Sequence, residues 1–165
     1  MQEWFLPFDS TARKAYIRES ILNSDALLVG RATYEMLGAY WPHEMNEDNG
    51  PASKLNTMEK FVVSSHLEKA SWNNSKIINK DIVEEIKKLK QQKGNEIQIP
   101  GSASLVQSLM KENLIDEFRF LIHPVIMGSG SHFFKEGMLT SGMKLVKTQT
   151  FDKGVVLLCY QSLNF

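Results

Sequence analysis

Three short segments of the chain place glycine, hydroxyl or basic side chains directly after an apolar run. They read VGRATYE from Val29, VVSSH from Val62 and IPGSASL from Ile99. Glycine lets an oxygen atom come close to the backbone, and the first turn of a helix offers unpaired N–H groups and a partial positive charge. These residue types therefore predict a binding site for a phosphorylated ligand.

Individual side chains in these segments suit different parts of such a ligand. Arg31 can form charge-assisted hydrogen bonds with a diphosphate. The hydroxyls of Ser64 and Ser65 can hold a ribose or its phosphate, and His66 can add a donor. The candidate residues at this stage are Gly30, Arg31, Thr33, Ser64, Ser65, His66, Gly101, Ser102, Ala103 and Ser104.

Each segment also has a purely structural interpretation. Arg31 can form a salt bridge at the surface, and Ser64 and Ser65 can satisfy the backbone of a turn. A strand followed by glycine and a helix is common in itself, so the repetition after three successive strands is what favours a ligand. The segments match neither the three spaced glycines of the Rossmann fingerprint nor the phosphate-binding loop with its lysine.

The elements that must position these segments alternate between strand and helix over the first two thirds of the chain. Hydrophobic patterns predict strands over 25–30, 60–65, 76–79 and 96–99 and helices over about 11–22, 31–37, 81–93 and 102–113. Residues 39–51 are polar and contain two prolines, which predicts a loop. The last third predicts a strand over 116–128 and two strands joined by a turn at 152–154.

This order of elements predicts an α/β fold in three layers. We expect a mostly parallel central sheet with helices on both faces and an antiparallel C-terminal edge. Ligands of open α/β sheets bind outside the carboxyl ends of strands, so the three segments are expected to meet there. The chain has no repeat or linker, and residues 1–165 are predicted to form one domain.

Composition narrows the classes of partner. Nineteen basic residues balance nineteen acidic ones with no basic stripe, so no nucleic-acid partner is expected. No apolar run reaches the roughly 20 residues that cross a bilayer, and no signal peptide is visible. The single cysteine, Cys159, lies in an apolar run and fits a reducing cytoplasm. None of the four histidines pairs at metal-ligand spacing, so no metal is expected.

Four longer segments resemble the dihydrofolate-reductase-like superfamily. More closely, they resemble the RibD C-terminal domain, the reductase domain at the C-terminus of bacterial riboflavin-biosynthesis deaminase–reductases and of their stand-alone relatives. The similarity extends from about Trp4 to Tyr160. The segments are LLVGRATYEMLGAYWP, KFVVSSHLEKASWNNSKII, IPGSASLVQSLMKENLIDEFRFLIHPVIMGSGSHFF and VVLLCYQ.

The resemblance implies an NADPH-dependent reductase of a small heterocyclic or ribosylaminopyrimidine-like substrate. Gly30, Arg31 and Thr33 match a GRxT element that meets the phosphates of the cofactor. Ser64 and Ser65 match the element at the adenosine ribose and 2′-phosphate. The GSxxL turn that cradles the diphosphate corresponds to Gly101, Ser102, Ala103, Ser104 and Leu105.

Two departures from the family pattern bear on these implications. His66 stands where relatives often carry arginine, which leaves the choice between NADPH and NADH open. Relatives also begin with a central strand of the SLDGFIA type, and this sequence begins after it. We expect the missing strand to be compensated by a rearranged sheet, a strand from a partner chain or a closer dimer.

The substrate side is less specified by the sequence. Tyr40 and Trp41 can line a heterocycle pocket through their aromatic planes, or Trp41 can fasten its loop to the core. No catalytic residue stands out, because hydride transfer belongs to the cofactor. Asp9, Glu35 or a water can supply the proton. The H-x-E and P-C-x-x-C zinc motif is absent from these 165 residues, which excludes deamination by them.

Two other functions stay open beside the riboflavin-type reductase. One is a nucleotide-binding or assembly module that lacks the first strand and has no turnover. The other is a dihydrofolate reductase. The expected partners are a small-molecule substrate and a second copy of the chain, in a homodimer formed through the C-terminal strands.

Overall fold

A computed structural model describes residues 4–44, 49–138 and 142–163. The strands are β1 Ser24–Gly30, β2 Glu59–Val63, β3 Ser75–Ile78, β4 Glu96–Gly101, β5 Glu117–Ile122, β6 Met143–Thr150 and β7 Val156–Ser162. The helices are α1 Thr11–Asn23, α2 Arg31–Tyr40, α3 Pro51–Thr57, α4 Ile82–Gln91 and α5 Ala103–Lys111, with 3-10 turns at Leu6–Phe8, Trp41–His43 and Asp152–Gly154. None of the helices in these three ranges has the length and apolar character to span a membrane.

The strands form two sheets, and the chain groups into two compact units. Unit A is Arg18–Glu112 and contains the parallel sheet β3-β2-β1-β4. Unit B combines Met1–Ile17 with Asn113–Phe165 and contains the antiparallel sheet β5-β7-β6. The α/β class, the parallel strands and the antiparallel C-terminal strands are confirmed. The C-terminal strands form a sheet of their own, however, and are not an edge of the parallel sheet.

The register of unit A brings the carboxyl ends of three strands to one edge of the sheet. β1 lies between β2 and β4, and its residues Leu27, Leu28 and Val29 are almost completely buried. Gly30 pairs with Val63 of β2, and Val29 pairs with Gly101 of β4. Because all these strands run in parallel, the segments that follow β1, β2 and β4 start side by side, as the sequence predicts.

Each sheet of the described residues ends in strands that have one neighbour. β4 pairs with β1 alone, and β5 pairs with β7 alone. β4 carries Pro100 near its carboxyl end, a residue with no N–H for a ladder. The sheet of unit A therefore stops at the strand that leads into the third predicted ligand-binding segment.

Three local predictions are wrong, each for a physical reason. A helix was not predicted for α3, which begins at the last residue of the predicted loop over 39–51, because Pro51 can open a helix at its first position. β5 ends at Ile122, not at 128, and Pro124 follows it without an N–H to donate. The spacing of Asp81 and Glu84 resembles a capping box and predicts a side-chain cap, but Asp81 does not cap α4, since its backbone is left-handed with φ +47°.

Unit B has its own small core around β7. Val155 and Leu157 are fully buried and pack with Phe151 and Cys159, and Phe8, Tyr16 and Leu121 cover the cluster. Burial raises the pKa of the Cys159 thiol, so this cysteine is held in the unreactive protonated form.

A lysine lies in the core of unit A beneath β2. The side chain of Lys60 is fully buried, and its Nζ donates to the carbonyls of Leu55 at 2.6 Å and Met58 at 2.7 Å. These carbonyls lie in the last turn and at the C-cap of α3, where a cation is favourable. The ammonium also lies 4.6 Å from the centroid of the Trp72 ring. No carboxylate of the described residues pairs with Lys60, and burial lowers its pKa to about 8.

We predict a pH-dependent stability that disappears in Lys60→Met. Between pH 8 and about 10.5 the unfolded chain keeps the Lys60 proton and the folded chain loses it, so the free energy of unfolding rises with pH. Over this interval the free energy of unfolding of the wild type is expected to rise by up to about 3 kcal/mol relative to that of Lys60→Met. Urea unfolding of both proteins from pH 7 to 10.5 measures the difference, and parallel curves would contradict the prediction.

Candidate functional site

The first feature of the site is the close contact between the ends of β1 and β4. A Cβ atom placed on Gly30 would lie 2.6 Å from Ser102 Oγ and 3.3 Å from the Ser102 backbone nitrogen. Gly30 has φ −78°, which any residue adopts, so the need for glycine here comes from space. The starts of α2 and α5 are therefore packed against each other.

The second feature is the turn at Gly101. Its φ of +154° lies in a region that side chains other than hydrogen rarely tolerate. A Cβ atom at this position would also lie 2.8 Å from Thr33 Oγ1. Thr33 and Gly101, which belong to two of the predicted segments, are thus in direct contact.

Two helix N-termini meet at this contact. Ser102 caps α5, with its Oγ accepting from Leu105 N at 3.4 Å and lying 2.8 Å from Ser104 Oγ. α2 starts at Arg31 after Gly30, and no side chain caps it. The first N–H groups of α2 are therefore available to an anion.

Arg31 adds a cation to this end of α2. Its Nη1 lies 3.0 Å and 3.1 Å from the two carboxylate oxygens of Glu35, one turn further along the helix. Both side chains are about half exposed, so the ion pair is weak and exchangeable. The salt bridge considered from the sequence is present, and it leaves Arg31 beside the N-terminus where an anion would bind.

The segment after β2 forms a turn held by Ser64. The Oγ of this buried residue accepts from His66 N at 3.2 Å and Leu67 N at 3.0 Å, which is the structural role considered from the sequence. Ser65 and His66 are exposed, and Ser65 Oγ lies 2.8 Å from His66 Nδ1. Ser65 and His66 are thus the members of this segment that offer side chains to a ligand.

Tyr40 and Trp41 lie at the opposite end of α2 from Arg31. At 1.5 Å per residue, the helix places Tyr40 about 14 Å from Arg31 along its axis. Tyr40 is 54% exposed, and a hydrogen bond with the Glu44 carboxylate raises the pKa of its hydroxyl. Trp41 is partly buried, and its ring stands edge-on to Tyr40 at 5.2 Å. These residues do not belong to the contact between β1 and β4.

Residues that the sequence analysis missed hold the Trp41 turn. Asn56 Nδ2 donates to Trp41 O at 3.0 Å, and Asn56 Oδ1 accepts from Trp72 Nε1 at 2.7 Å. Trp72 is buried, and its backbone N–H donates to the Tyr34 hydroxyl at 2.8 Å. The clue in the sequence was a tryptophan and a tyrosine at positions where each needs a hydrogen-bond partner once buried.

The carboxylates considered as proton donors are both paired. Glu35 binds Arg31, and Asp9 of unit B forms ion pairs with Arg13 and Lys14. Neither is set apart as a general acid. Within the three described ranges, no group of three or more His, Cys, Asp or Glu side chains is arranged to hold a metal ion.

Comparison with known proteins identifies the family. The sequence profile of the RibD C-terminal domain matches residues 3–157. The chain belongs to the RibD C-terminal domain family. This RibD C-terminal domain is 36% identical to the uncharacterized protein YyaP of Bacillus subtilis strain 168 over 137 residues, which cover 82% of the chain and 73% of YyaP. It is 28% identical to YwjB of the same organism over 155 residues, covering 94% of the chain and 83% of YwjB.

Solved structures of related fold are reductases or their relatives. A protein of Shewanella sp. PV-4 with a proposed role in riboflavin biosynthesis superposes with a TM-score of 0.71 at 20% identity, covering 94% of this domain and 81% of that chain. A pyrimidine reductase-like protein of Corynebacterium diphtheriae gives 0.66 at 12% identity, with coverage of 96% and 84%. Dihydrofolate reductase of Enterococcus faecalis, complexed with NADP(H) and RAB-propyl, gives 0.61 at 18% identity, with coverage of 94% and 84%. The dihydrofolate-reductase-like fold is thereby confirmed.

Substitutions of the two glycines are predicted to show that Gly30 is required for steric reasons and Gly101 for its backbone conformation. Gly30→Ala is expected to destabilise by about 1–3 kcal/mol through overpacking. Ser102→Ala removes the atom it meets, so the double variant should be about 1 kcal/mol more stable than the sum of the single changes. Gly101→Ala is expected to stay destabilised when Thr33 is also changed to alanine, because the positive φ remains. Urea unfolding of the single and double variants measures these energies, and additivity for Gly30 and Ser102 would contradict the contact.

Proposed function

We propose that the protein is an NADPH-dependent reductase of a small heterocyclic or ribosylaminopyrimidine-like substrate, of the type that serves riboflavin biosynthesis. The observation that carries this proposal is the contact of Gly30 and Thr33 with Ser102 and Gly101, which joins two helix N-termini at one edge of a parallel sheet. Membership of a reductase-type family supports the same conclusion.

The residues at this edge fit a dinucleotide diphosphate. The uncapped start of α2 and the start of α5 offer backbone N–H groups, and Arg31 offers a guanidinium beside them. The glycines leave room for the Ser102 and Thr33 hydroxyls where the two helix starts converge, and so allow the close approach of those starts. Two negative charges can be neutralised there without a metal ion, because helix termini and arginine both favour anions.

The exposed pair at the end of β2 suits the adenosine side of the cofactor. β2 is the neighbour of β1, so Ser65 and His66 follow a strand end adjacent to Gly30. Their hydroxyl and imidazole can donate to a ribose or to a 2′-phosphate. The His66 ring lacks the two-pronged donor geometry of the arginine common in relatives, so the preference for NADPH over NADH is expected to be modest.

The chain contributes positioning, and the cofactor contributes the hydride. When bound, the dihydronicotinamide supplies a hydride to a C=N or C=O bond of the substrate. Tyr40 and Trp41, about 14 Å further along α2, offer aromatic surfaces to a heterocycle. The side chains that orient the substrate are in this view separate from those that hold the diphosphate.

A second candidate is a nucleotide-binding or assembly module without turnover. The observation that favours it is the edge of β4, which has β1 as its single strand neighbour among the described residues. The two candidates differ in one measurement. A reductase oxidises NADPH when offered a panel of pterins and ribosylaminopyrimidines, whereas the module binds NADPH and leaves it reduced. Dihydrofolate belongs in the panel, and the homodimer expected from the sequence stays a prediction for light scattering.

Arg31→Ala is predicted to weaken NADPH binding by about 10-fold to 100-fold, the effect of losing a hydrogen bond to a charged group. Arg31→Lys should retain part of the affinity, because lysine keeps the charge and loses the two-pronged geometry. Titration of NADPH fluorescence against wild type and both variants gives the dissociation constants.

The control for this experiment is Lys87→Ala. Lys87 is an exposed lysine in a helical ion pair with Glu84 on α4, so its removal changes the net charge equally without touching the site. Equal affinity of wild type, Arg31→Ala and Lys87→Ala would refute the diphosphate assignment. Absence of saturable binding to the wild type would refute the cofactor itself.

His66→Arg is predicted to increase the preference for NADPH over NADH at least about 10-fold, since an arginine–phosphate pair is worth more than a neutral hydrogen bond. The affinity for NADH should stay within about twofold of wild type. Dissociation constants for both coenzymes, measured on wild type and variant, give the ratio. A parallel gain for both would place His66 away from the 2′-phosphate.

A further inference from the structure

We propose that Asn56 is a positioning residue for the substrate side of the site, fixing the Trp41 turn through a hydrogen bond that the buried Lys60 and Trp72 hold in place. The expected effect on the substrate rests on the proposed function, because Tyr40 and Trp41 are the candidate substrate surfaces. The geometric part of the inference rests only on contacts within unit A.

Asn56 bridges a buried tryptophan and the main chain of a partly exposed one. Its Oδ1 lies 2.7 Å from Trp72 Nε1, and its Nδ2 lies 3.0 Å from Trp41 O. An indole nitrogen can only donate and a carbonyl can only accept, so both ends of the amide are determined by their partners. The amide thus offers its acceptor to the indole and its donor to the carbonyl at the same time.

Lys60 fixes the helix that carries Asn56. The carbonyls that accept from Lys60 Nζ belong to Leu55 and Met58, on either side of Asn56 in sequence. α3 has seven residues, which is too short to be stable by itself. The ammonium at its C-terminus therefore supplies support that the helix sequence lacks, and the position of Asn56 depends on it.

Trp72 connects this support to α2. Its ring faces the Lys60 ammonium at 4.6 Å, and its backbone N–H donates to the hydroxyl of Tyr34 at 2.8 Å. Tyr34 is buried in the first turn of α2, three residues after Arg31. Trp72 also lies 3.7 Å from the position that a Cβ of Gly38 would take, so the same ring packs along the middle of α2. The two ends of α2 are thus attached to one residue, through the Trp72 backbone N–H at the start and through its indole and Asn56 at the end.

The substitution Asn56→Asp tests the two side-chain hydrogen bonds of Asn56 separately, because it removes one and keeps the other. Aspartate keeps an oxygen to accept from Trp72 Nε1 and loses the donor to Trp41 O. Asn56→Leu removes both bonds. Asn73→Asp is the matched control, because Asn73 is an exposed neighbour whose amide donates to the backbone oxygen of Asn56 at 3.3 Å and not to the Trp41 turn.

The test is fluorine NMR of the full chain labelled with 5-fluorotryptophan, which gives one signal for each of Trp4, Trp41 and Trp72. Replacement of each tryptophan by phenylalanine assigns the signals. In Asn56→Asp we expect the Trp41 signal to shift or broaden and the Trp72 signal to stay in place. In Asn56→Leu both should change, and in Asn73→Asp neither should. A Trp41 signal that stays unchanged in both Asn56 variants would overturn the inference.

Kinetics on the same variants test the consequence for the site. With the heterocycle from the panel that the wild type reduces, Asn56→Asp is expected to raise KM about 10-fold and to leave the NADPH dissociation constant within about twofold. If Asn56→Asp weakened NADPH binding by the same factor as it raised KM, the assignment of Asn56 to the substrate side would be overturned. If the wild type binds no NADPH, the proposed function fails, and the fluorine signals still decide whether Asn56 positions Trp41.

Discussion

The packing of one strand end against another is the constraint on which the candidate site depends. Gly30 and Gly101 end neighbouring parallel strands, and each leaves room for a hydroxyl side chain of the opposite segment. A methyl group at either position would push the starts of α2 and α5 apart. Both helices begin at this contact. The two glycines therefore determine the distance between the helix N-termini, and with it the size of anion that the N-termini can share.

This contact changes the meaning of the glycines in the sequence. Their pattern predicts an approach of the ligand to the backbone. In the folded chain the nearest atoms to both glycines are Ser102 Oγ and Thr33 Oγ1, which belong to the protein. The glycines therefore allow the two segments of the protein to pack closely together. Their effect on ligand binding is indirect and follows from that packing.

The sequence was informative where a pattern is local and poor where a residue depends on distant partners. The strand before Gly30, the helix that follows Ser102 and the turn at Asp152–Gly154 depend on neighbouring residues and were predicted. Lys60 gives no local sign of burial, since the nearby carbonyls of Leu55 and Met58 accept from it only once α3 has formed, and the Trp72 ring lies 12 residues away in sequence. α3 was missed because seven residues carry too weak a helical pattern, and Asn56 was missed with it.

The outer side of β4 has a consequence for how this chain meets other polypeptides. Its backbone groups have no strand beside them in the described residues, and exposed edges of this kind recruit extended segments from solution. Pro100 withholds a donor near the carboxyl end, and the twist of the main chain at Gly101 departs from that of a regular strand. An added strand would therefore find the ladder of donors interrupted at Pro100, before the tip next to the convergent helices.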